Sequence, residues 1–479
     1  MNGRVKELIS NSVLFTIANM GSKIIVFLMV PLYTAVLTTE EYGVSDMVQT
    51  TAHLLYPVLT CMISEAVLRF CFLKDIDPSQ VLSVGIRITI IGSVINIILG
   101  VSFLYVPFFF SLGPYVLFIP VMFIGHSLSQ LFHKFARGIG KVKVSATAGL
   151  MGTGLVVSLN LLFLLVFKLG ILGYLLSYTF CEYVTAGYMA LSCKSAISKT
   201  QRGIPGLQSQ MLKYSIPLVP NSLSWWALSS VNRYIMLAYI GVSAVGIYSA
   251  TLRIPSILTV LCDIFAQAWL LSALKNYESD ETKAFINAMH GRYFAVVIIM
   301  TSVFIILAKP IAVILLSGEF SDYWYVTPFL FISVFWGAMV GFLGSVFSAE
   351  RKNTMQFVST IFGAVVSIVF TVLFLKKYGV IIVAIATMLG YFMIWLVRRL
   401  AVNKYLRLSL GTIISIMQGL VLIVESYFVC ISMYYWAAVC IAVLFFLNIK
   451  RVWPVITFAL NESKGYLNRI LFNHGKTDN

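Results

Sequence analysis

Lys23 stands in the middle of an apolar run, at a depth where lipid does not tolerate a charge. At about 100° per residue, Ser12, Thr16, Asn19, Lys23 and Thr34 fall within one narrow arc of a helix. A second apolar segment follows a short break at Thr38-Thr39-Glu40-Glu41. It places Asp46, Gln49, Thr50, His53, Thr60 and Ser64 on one stripe, with Glu65 and Arg69 near its far end. A charged side chain facing acyl chains costs at least ~2.5 kcal/mol, so such stripes are expected to face a water-filled cavity or a protein interior. The chemistry on offer is binding: cations that can hold an anion, and carboxylates that can carry a coupling ion.

A second wall begins at Tyr214-Ser215-Ile216-Pro217-Leu218-Val219-Pro220-Asn221-Ser222-Leu223-Ser224-Trp225-Trp226. Ser222, Trp226, Ser229 and Arg233 share one helical face, and Asn221, Trp225 and Asn232 share the adjacent one. The next span adds Arg253 and Asp263, with Gln267 beyond. Prolines 31, 57, 217, 220 and 255 are expected to bend these helices and permit gating. Each charge also has a plainer use. Arg69, Arg87 and Arg233 can snorkel to an interface, Arg253 and Asp263 can neutralise one another, and Glu182 and Glu425 can be packing residues.

Bond-making chemistry is not indicated. His53, His126, His133, His290 and His474 are scattered, and His126 and His133 share a face without metal-ligand spacing or an evident carboxylate partner. Gly138-Ile139-Gly140-Lys141 lacks the full phosphate-loop pattern and a preceding strand. No C-x-x-C pair occurs among the seven cysteines, so they are expected to be buried apolar groups without a disulfide or metal role. No cofactor is expected.

The elements that must position these residues follow from composition. Of 479 residues, 59% are hydrophobic and 11% charged, and the mean hydropathy is +0.93. Soluble domains carry roughly 25% charged residues, so an all-α integral membrane protein is expected. Apolar runs of helical length exclude a β-barrel. About fourteen transmembrane helices are expected: two before Arg69, then 81–106, 114–135, 144–167 and 171–193. A polar linker over 194–213 separates them from 214–239, 243–274, 288–316, 323–348, 354–375, 379–400, 408–430 and 432–449. The organisation is thus 1–193 for helices 1–6, 194–213 for the linker, 214–400 for helices 7–12, and 401–479 for helices 13–14 and a polar tail.

The formal charge of +16 lies in short loops between spans, which is a topology signal and not a nucleic-acid signal. Lys and Arg concentrate on one side, while the other holds Lys168, Lys309, Lys376 and Lys377, so both termini are expected in the cytoplasm. The halves also repeat. Ser12 precedes Gly43 by the spacing with which Ser215 precedes Gly246, and Lys168-Leu169-Gly170 answers Lys377-Tyr378-Gly379. Two six-helix lobes related by an axis along the membrane normal, plus two C-terminal helices, are implied.

Asn11-Ser12…Lys23…Pro31-Leu32-Tyr33-Thr34…Glu41-Tyr42-Gly43…Asp46 resembles the start of bacterial polysaccharide (O-antigen and capsule) repeat-unit flippases. Pro217 to Trp226, Arg233-Tyr234 and Gly246-Ile247-Tyr248 carry the same resemblance, to a family that shares its superfamily with MATE multidrug extruders and the lipid II flippase. It implies translocation of an undecaprenyl-diphosphate-linked oligosaccharide to the outer leaflet of the bacterial cytoplasmic membrane. Polysaccharide polymerase and glycosyltransferases are the implied partners. A diphosphate in a low-dielectric cavity needs cations, so Lys23, Arg233, Arg253 and Arg69 are the expected contacts, with Asn19, Asn221 and Trp226 beside them. The family commonly has Asp before the Arg of span 7, where Asn232 stands here, so Asp46, Asp263 or Glu65 is expected to carry any coupling ion. The competing readings are a MATE-like extruder of drugs or metabolites and a membrane glycosyltransferase or polymerase.

Overall fold

Leu37 and Thr38 are extended and separate α1 (Val30–Val36) from α2 (Thr39–Leu59). The Thr38 hydroxyl accepts from the Glu41 amide at 3.1 Å, and the Glu41 carboxylate accepts from the Thr38 amide at 2.9 Å. Such a reciprocal cap contributes about 1 kcal/mol, and Glu40 and Glu41 suit the positive end of the helix. The computed structural model describes residues 25, 27–73, 75–196, 205–273, 280–350, 353–403, 408 and 410–473. Lys23 and Asn19 lie outside them.

α2 meets α3 (Ile63–Phe70) at a bend of 56°. Pro57 falls inside α2, and the break comes just beyond it, where Cys61 and Met62 take left-handed φ of 50° and 53°. Pro31 occupies the first turn of α1, just after the helical backbone of residues 27–28 is interrupted at Met29. α4 (Pro78–Ser102), α5 (Phe118–Gly138), α6 (Val142–Asn160) and α7 (Gly170–Ser192) complete the first lobe.

The second lobe opens with α8 (Leu207–Ser215) and α9 (Val219–Ile240), joined by a 3-10 turn at Ile216–Leu218 that contains Pro217. The end of the expected linker is therefore helical, because Leu207 and Met211, four apart on one face, are buried against the first lobe. α10 (Val242–Arg253) and α11 (Ser256–Ala273) bend by 48° at Pro255. α12 (Asp280–Ile306), α13 (Ala308–Leu315), α14 (Thr327–Ala349), α15 (Asn353–Tyr378) and α16 (Val380–Val402) follow, then α17 (Thr412–Cys430) and α18 (Tyr434–Asn473). α18 stays helical well past the stretch Tyr434–Pro454, which is long and apolar enough to span.

Among the described residues nine helices are long and apolar enough to cross a membrane, and the two bent pairs make eleven. Three of the expected spans stand outside that number. The first lies largely beyond the described residues. α7 and α9 have spanning length, 23 and 22 residues, but their polar side chains lower their hydropathy because they face the interior. Lipid-facing surface is plain elsewhere: Ile90, Ile91, Val94, Ile95 and Ile98 of α4 are all exposed. Apolar exposure on this scale belongs to a bilayer, and the protein is a multi-pass membrane protein.

The lobes meet at the end where α2 and α10 begin. A Cβ on Gly43 would lie 2.1 Å from the Val242 carbonyl oxygen, and one on Gly246 would lie 1.9 Å from that of Thr39. The crossing is reciprocal, and Thr39 and Gly43 correspond to Val242 and Gly246 at one common offset. One buried apolar cluster crosses both lobes at this end, whereas a second is confined to the first lobe and α8 at the other.

Candidate functional site

A ladder of polar contacts joins α2 to α9 below the glycine crossing. Arg233 Nε lies 2.9 Å from Asp46 Oδ2, with both side chains about a tenth exposed. The guanidinium also donates to Ser249 Oγ at 3.3 Å, to Ser230 Oγ at 3.1 Å and to the Ser229 carbonyl at 3.2 Å. Trp226 Nε1 donates to the Thr50 carbonyl at 3.4 Å, and the Thr51 and Tyr234 hydroxyls lie 2.8 Å apart. These side chains recur at helical spacing on both elements, so one face of α9 is matched to one face of α2.

Arg253 ends α10 and faces Tyr42, Tyr174 and Tyr178, with Asp46 close enough to act on its charge. The tyrosines form a continuous aromatic group: Tyr174 packs edge-on to Tyr33 at 4.9 Å and against Tyr178 at 4.9 Å. Arg233, paired with Asp46, and Arg253, set among the tyrosines, thus stand at one seam. They face a cavity of about 500 Å³, also lined by Asp263, Ser256, Thr259 and Tyr391. A smaller chamber of about 280 Å³ shares Trp225, Ala266, Tyr293 and Gly341 with the first.

Asn232 is 5% exposed and turns away from this cavity into the second lobe. Its amide nitrogen donates to Ser367 Oγ at 3.0 Å and Thr387 Oγ1 at 3.4 Å, while Thr371 donates to its oxygen at 3.1 Å. A neutral, fully bonded amide therefore occupies the position where the resemblance leads one to expect a carboxylate.

The remaining expected residues scatter. Asn221 is exposed near the start of α9, and Trp226 is half-buried at the seam. Arg69 lies over the Tyr214 ring at 5.0 Å, at the far end of α3, and Glu65 pairs with Lys134 of α5. The side chain of Gln267 lies outside the described residues. Asp263 lines the cavity.

Sequence reasoning missed a polar cluster inside the first lobe. His126 Nδ1 lies 3.2 Å from Glu182 Oε1, so the histidine does have a carboxylate partner, supplied by α7. His53 of α2 packs against His126 at 4.6 Å between ring centroids, and Tyr56 meets the same ring edge-on at 5.1 Å. The signal was present as two isolated polar residues in two apolar spans of one lobe, but spacing along one helix could not pair them. Among the described residues no three His, Cys, Asp or Glu side chains gather to hold a metal, and all seven thiols are free.

Residues 8–273, more than half of the chain, match the family described as Polysaccharide biosynthesis protein. The chain belongs to that family. Among solved structures, this family member is similar to the Lipid II flippase MurJ in an inward closed conformation. The TM-score is 0.66 at 14% identity, over 93% of this chain and 100% of that one. It is also similar to an inward-facing multidrug resistance MATE family transporter of the MOP superfamily. There the TM-score is 0.60 at 16% identity, over 81% of this chain and 95% of that one. Both likenesses are of fold. No curated protein matches the chain. Among the described residues the chain has an all-helical MurJ/MATE-like fold, in a polysaccharide biosynthesis family.

Proposed function

We propose that this family member is a flippase. It carries an undecaprenyl-diphosphate-linked oligosaccharide from the cytoplasmic to the outer leaflet of the bacterial cytoplasmic membrane by alternating access. The observation that supports this most is the pair Arg233 and Arg253, which line one cavity from two helices, Arg233 already paired with Asp46. A diphosphate offers each guanidinium a charge-assisted partner stronger than a serine or tyrosine hydroxyl, and it competes with Asp46 for Arg233. Lys23, on the polar arc of the first span, adds a third cation. Serine, threonine and aromatic groups of the larger chamber suit the glycan, and the lipid tail stays in the bilayer.

With both termini cytoplasmic, the closed end at Gly43 and Gly246 is the outer end, and the cavity faces inward. Moving negative charge outward is favoured by an inside-negative potential, by ~2.3 kcal/mol per charge per 100 mV. Of the candidate coupling carboxylates, Glu65 is held by Lys134 away from the seam, which leaves Asp46 and Asp263. Glycosyltransferases would supply the load and a polysaccharide polymerase would consume it.

The test is a deletion strain complemented with wild type, Lys23→Ala or Arg233→Ala, scored for surface polymer and lipid-linked intermediates. Loss of polymer with repeat units accumulating on the inner leaflet, rescued only by wild type, is expected. Normal polymer with heightened sensitivity to cationic drugs would replace this reading with the extruder.

A further inference from the structure

At the seam, arginine is met by carboxylate. Deeper in the second lobe it is not. Arg398 of α16 is 1% exposed. Its Nε donates to Ser359 Oγ at 3.0 Å, Nη1 to the Val340 carbonyl at 2.9 Å, and Nη2 to the Gln356 carbonyl at 3.2 Å and Thr360 Oγ1 at 3.1 Å. All four acceptors are neutral. A buried charge is seldom retained without a counter-charge unless something else supplies one.

Four of the five guanidinium N–H groups are thereby spent. The fifth, on Nη1, sits beside Gly344, where a Cβ would come 2.8 Å from that nitrogen. Gly344 and Arg398 both line the smaller chamber, together with Ser345, Ser348 and Gln356. The neighbouring Arg399 shows that burial alone is not the point. It is equally buried, but it turns to the Leu408 and Leu410 carbonyls and lines neither chamber. Along α16, Thr387 lines the larger chamber and Arg398 the smaller, about 16 Å apart at 1.5 Å per residue.

We propose that Arg398 is a second oxyanion subsite on the transport path, taking a phosphate or a sugar carboxylate of the load at the chamber remote from the lobe seam. Four fixed bonds hold the guanidinium ready at the wall of the smaller chamber, with the spare donor on Nη1. The inference rests on the flippase reading for the identity of the load, but not for the existence of an anion site.

Isothermal titration of the full-length protein in nanodiscs tests it, with inorganic pyrophosphate, a uronic-acid disaccharide and the corresponding neutral disaccharide as probes. Arg398→Gln is expected to weaken one anionic probe at least tenfold and to leave the neutral disaccharide unchanged. Loss for the uronate identifies a charged sugar as the ligand, and loss for pyrophosphate identifies the diphosphate. Because Arg398 also ties α14, α15 and α16 together, Arg398→Lys is measured beside it. That variant keeps a cation at the chamber, so it should bind the anionic probe more tightly than Arg398→Gln does. Wild-type affinity for both anions in Arg398→Gln, or equal losses in Arg398→Lys and Arg398→Gln, overturns the proposal. Anion binding that depends on Arg398 in a protein whose deletion accumulates no lipid-linked intermediate would leave the subsite standing and remove the flippase reading.

Discussion

In the proposed flippase, Asp46 sets how tightly the seam holds an anion. It pairs with Arg233 and acts on Arg253, so an incoming phosphate must displace a carboxylate already in place. Removing that competitor has a definite sign. Asp46→Asn leaves Arg233 with Ser249, Ser230 and the Ser229 carbonyl, none of which neutralises it. Pyrophosphate affinity measured by titration calorimetry is expected to rise about tenfold, equivalent to about 1.4 kcal/mol, while translocation in cells falls because release is slowed. Unchanged affinity would mean that Asp46 is a structural partner of the α2–α9 interface and takes no part in exchange. Asn232 illustrates the opposite case, a polar side chain whose three hydroxyl partners already satisfy it, and no ligand needs to enter there.

At the scale of elements, the α2–α10 crossing sets how close the lobes come. Gly43 and Gly246 each face backbone, and backbone cannot yield as a flexible side chain can. Gly43→Ala or Gly246→Ala is therefore expected to push the closed end apart and destabilise this state by about 1–3 kcal/mol. Increased thiol-reagent labelling of a cysteine at position 39 would report it; labelling equal to that of the parent would show that the helices slide instead. Much of this element-level plan was legible. Glu41-Tyr42-Gly43 and Val245-Gly246-Ile247 marked the repeat at matching positions, and Thr38 with Glu41 marked a helix start. The facing of Gly43 by Gly246 was not legible, because helical periodicity says which face a residue occupies and not what meets it. Cys61 and Met62 escaped for a related reason. Neither residue type announces a left-handed backbone, so the bend was assigned to Pro57. Arg398 follows a long apolar run, and only the packing of α14 and α15 around it reveals its burial.

At the scale of the molecule, the closed end is held by several weak contacts. Thr34 Oγ1 accepts from the Ser317 amide at 3.1 Å and lies 3.3 Å from the Leu315 carbonyl oxygen. Thr39 donates to Glu319 at 3.2 Å, and Tyr42 meets Phe320 edge-on at 5.8 Å. A net hydrogen bond contributes about 1 kcal/mol, so the group amounts to a few kcal/mol. That suits an end that would open in each cycle of the proposed alternating access, since differential binding of a ligand can shift a two-state equilibrium of that size. A covalent link across it should therefore stop transport without blocking access from the other end. With the native cysteines replaced, Thr34→Cys combined with Ser317→Cys places two thiols across the lobes. Oxidation is expected to reduce translocation of a labelled lipid-linked substrate in proteoliposomes to background, and reductant to restore it. Pyrophosphate binding should stay within about twofold, because the Arg233–Arg253 seam is reached from the opposite side. Undiminished translocation by the oxidised protein would mean that the load leaves without separating the lobes here, and a lateral path between helices would have to replace rocking about the crossing.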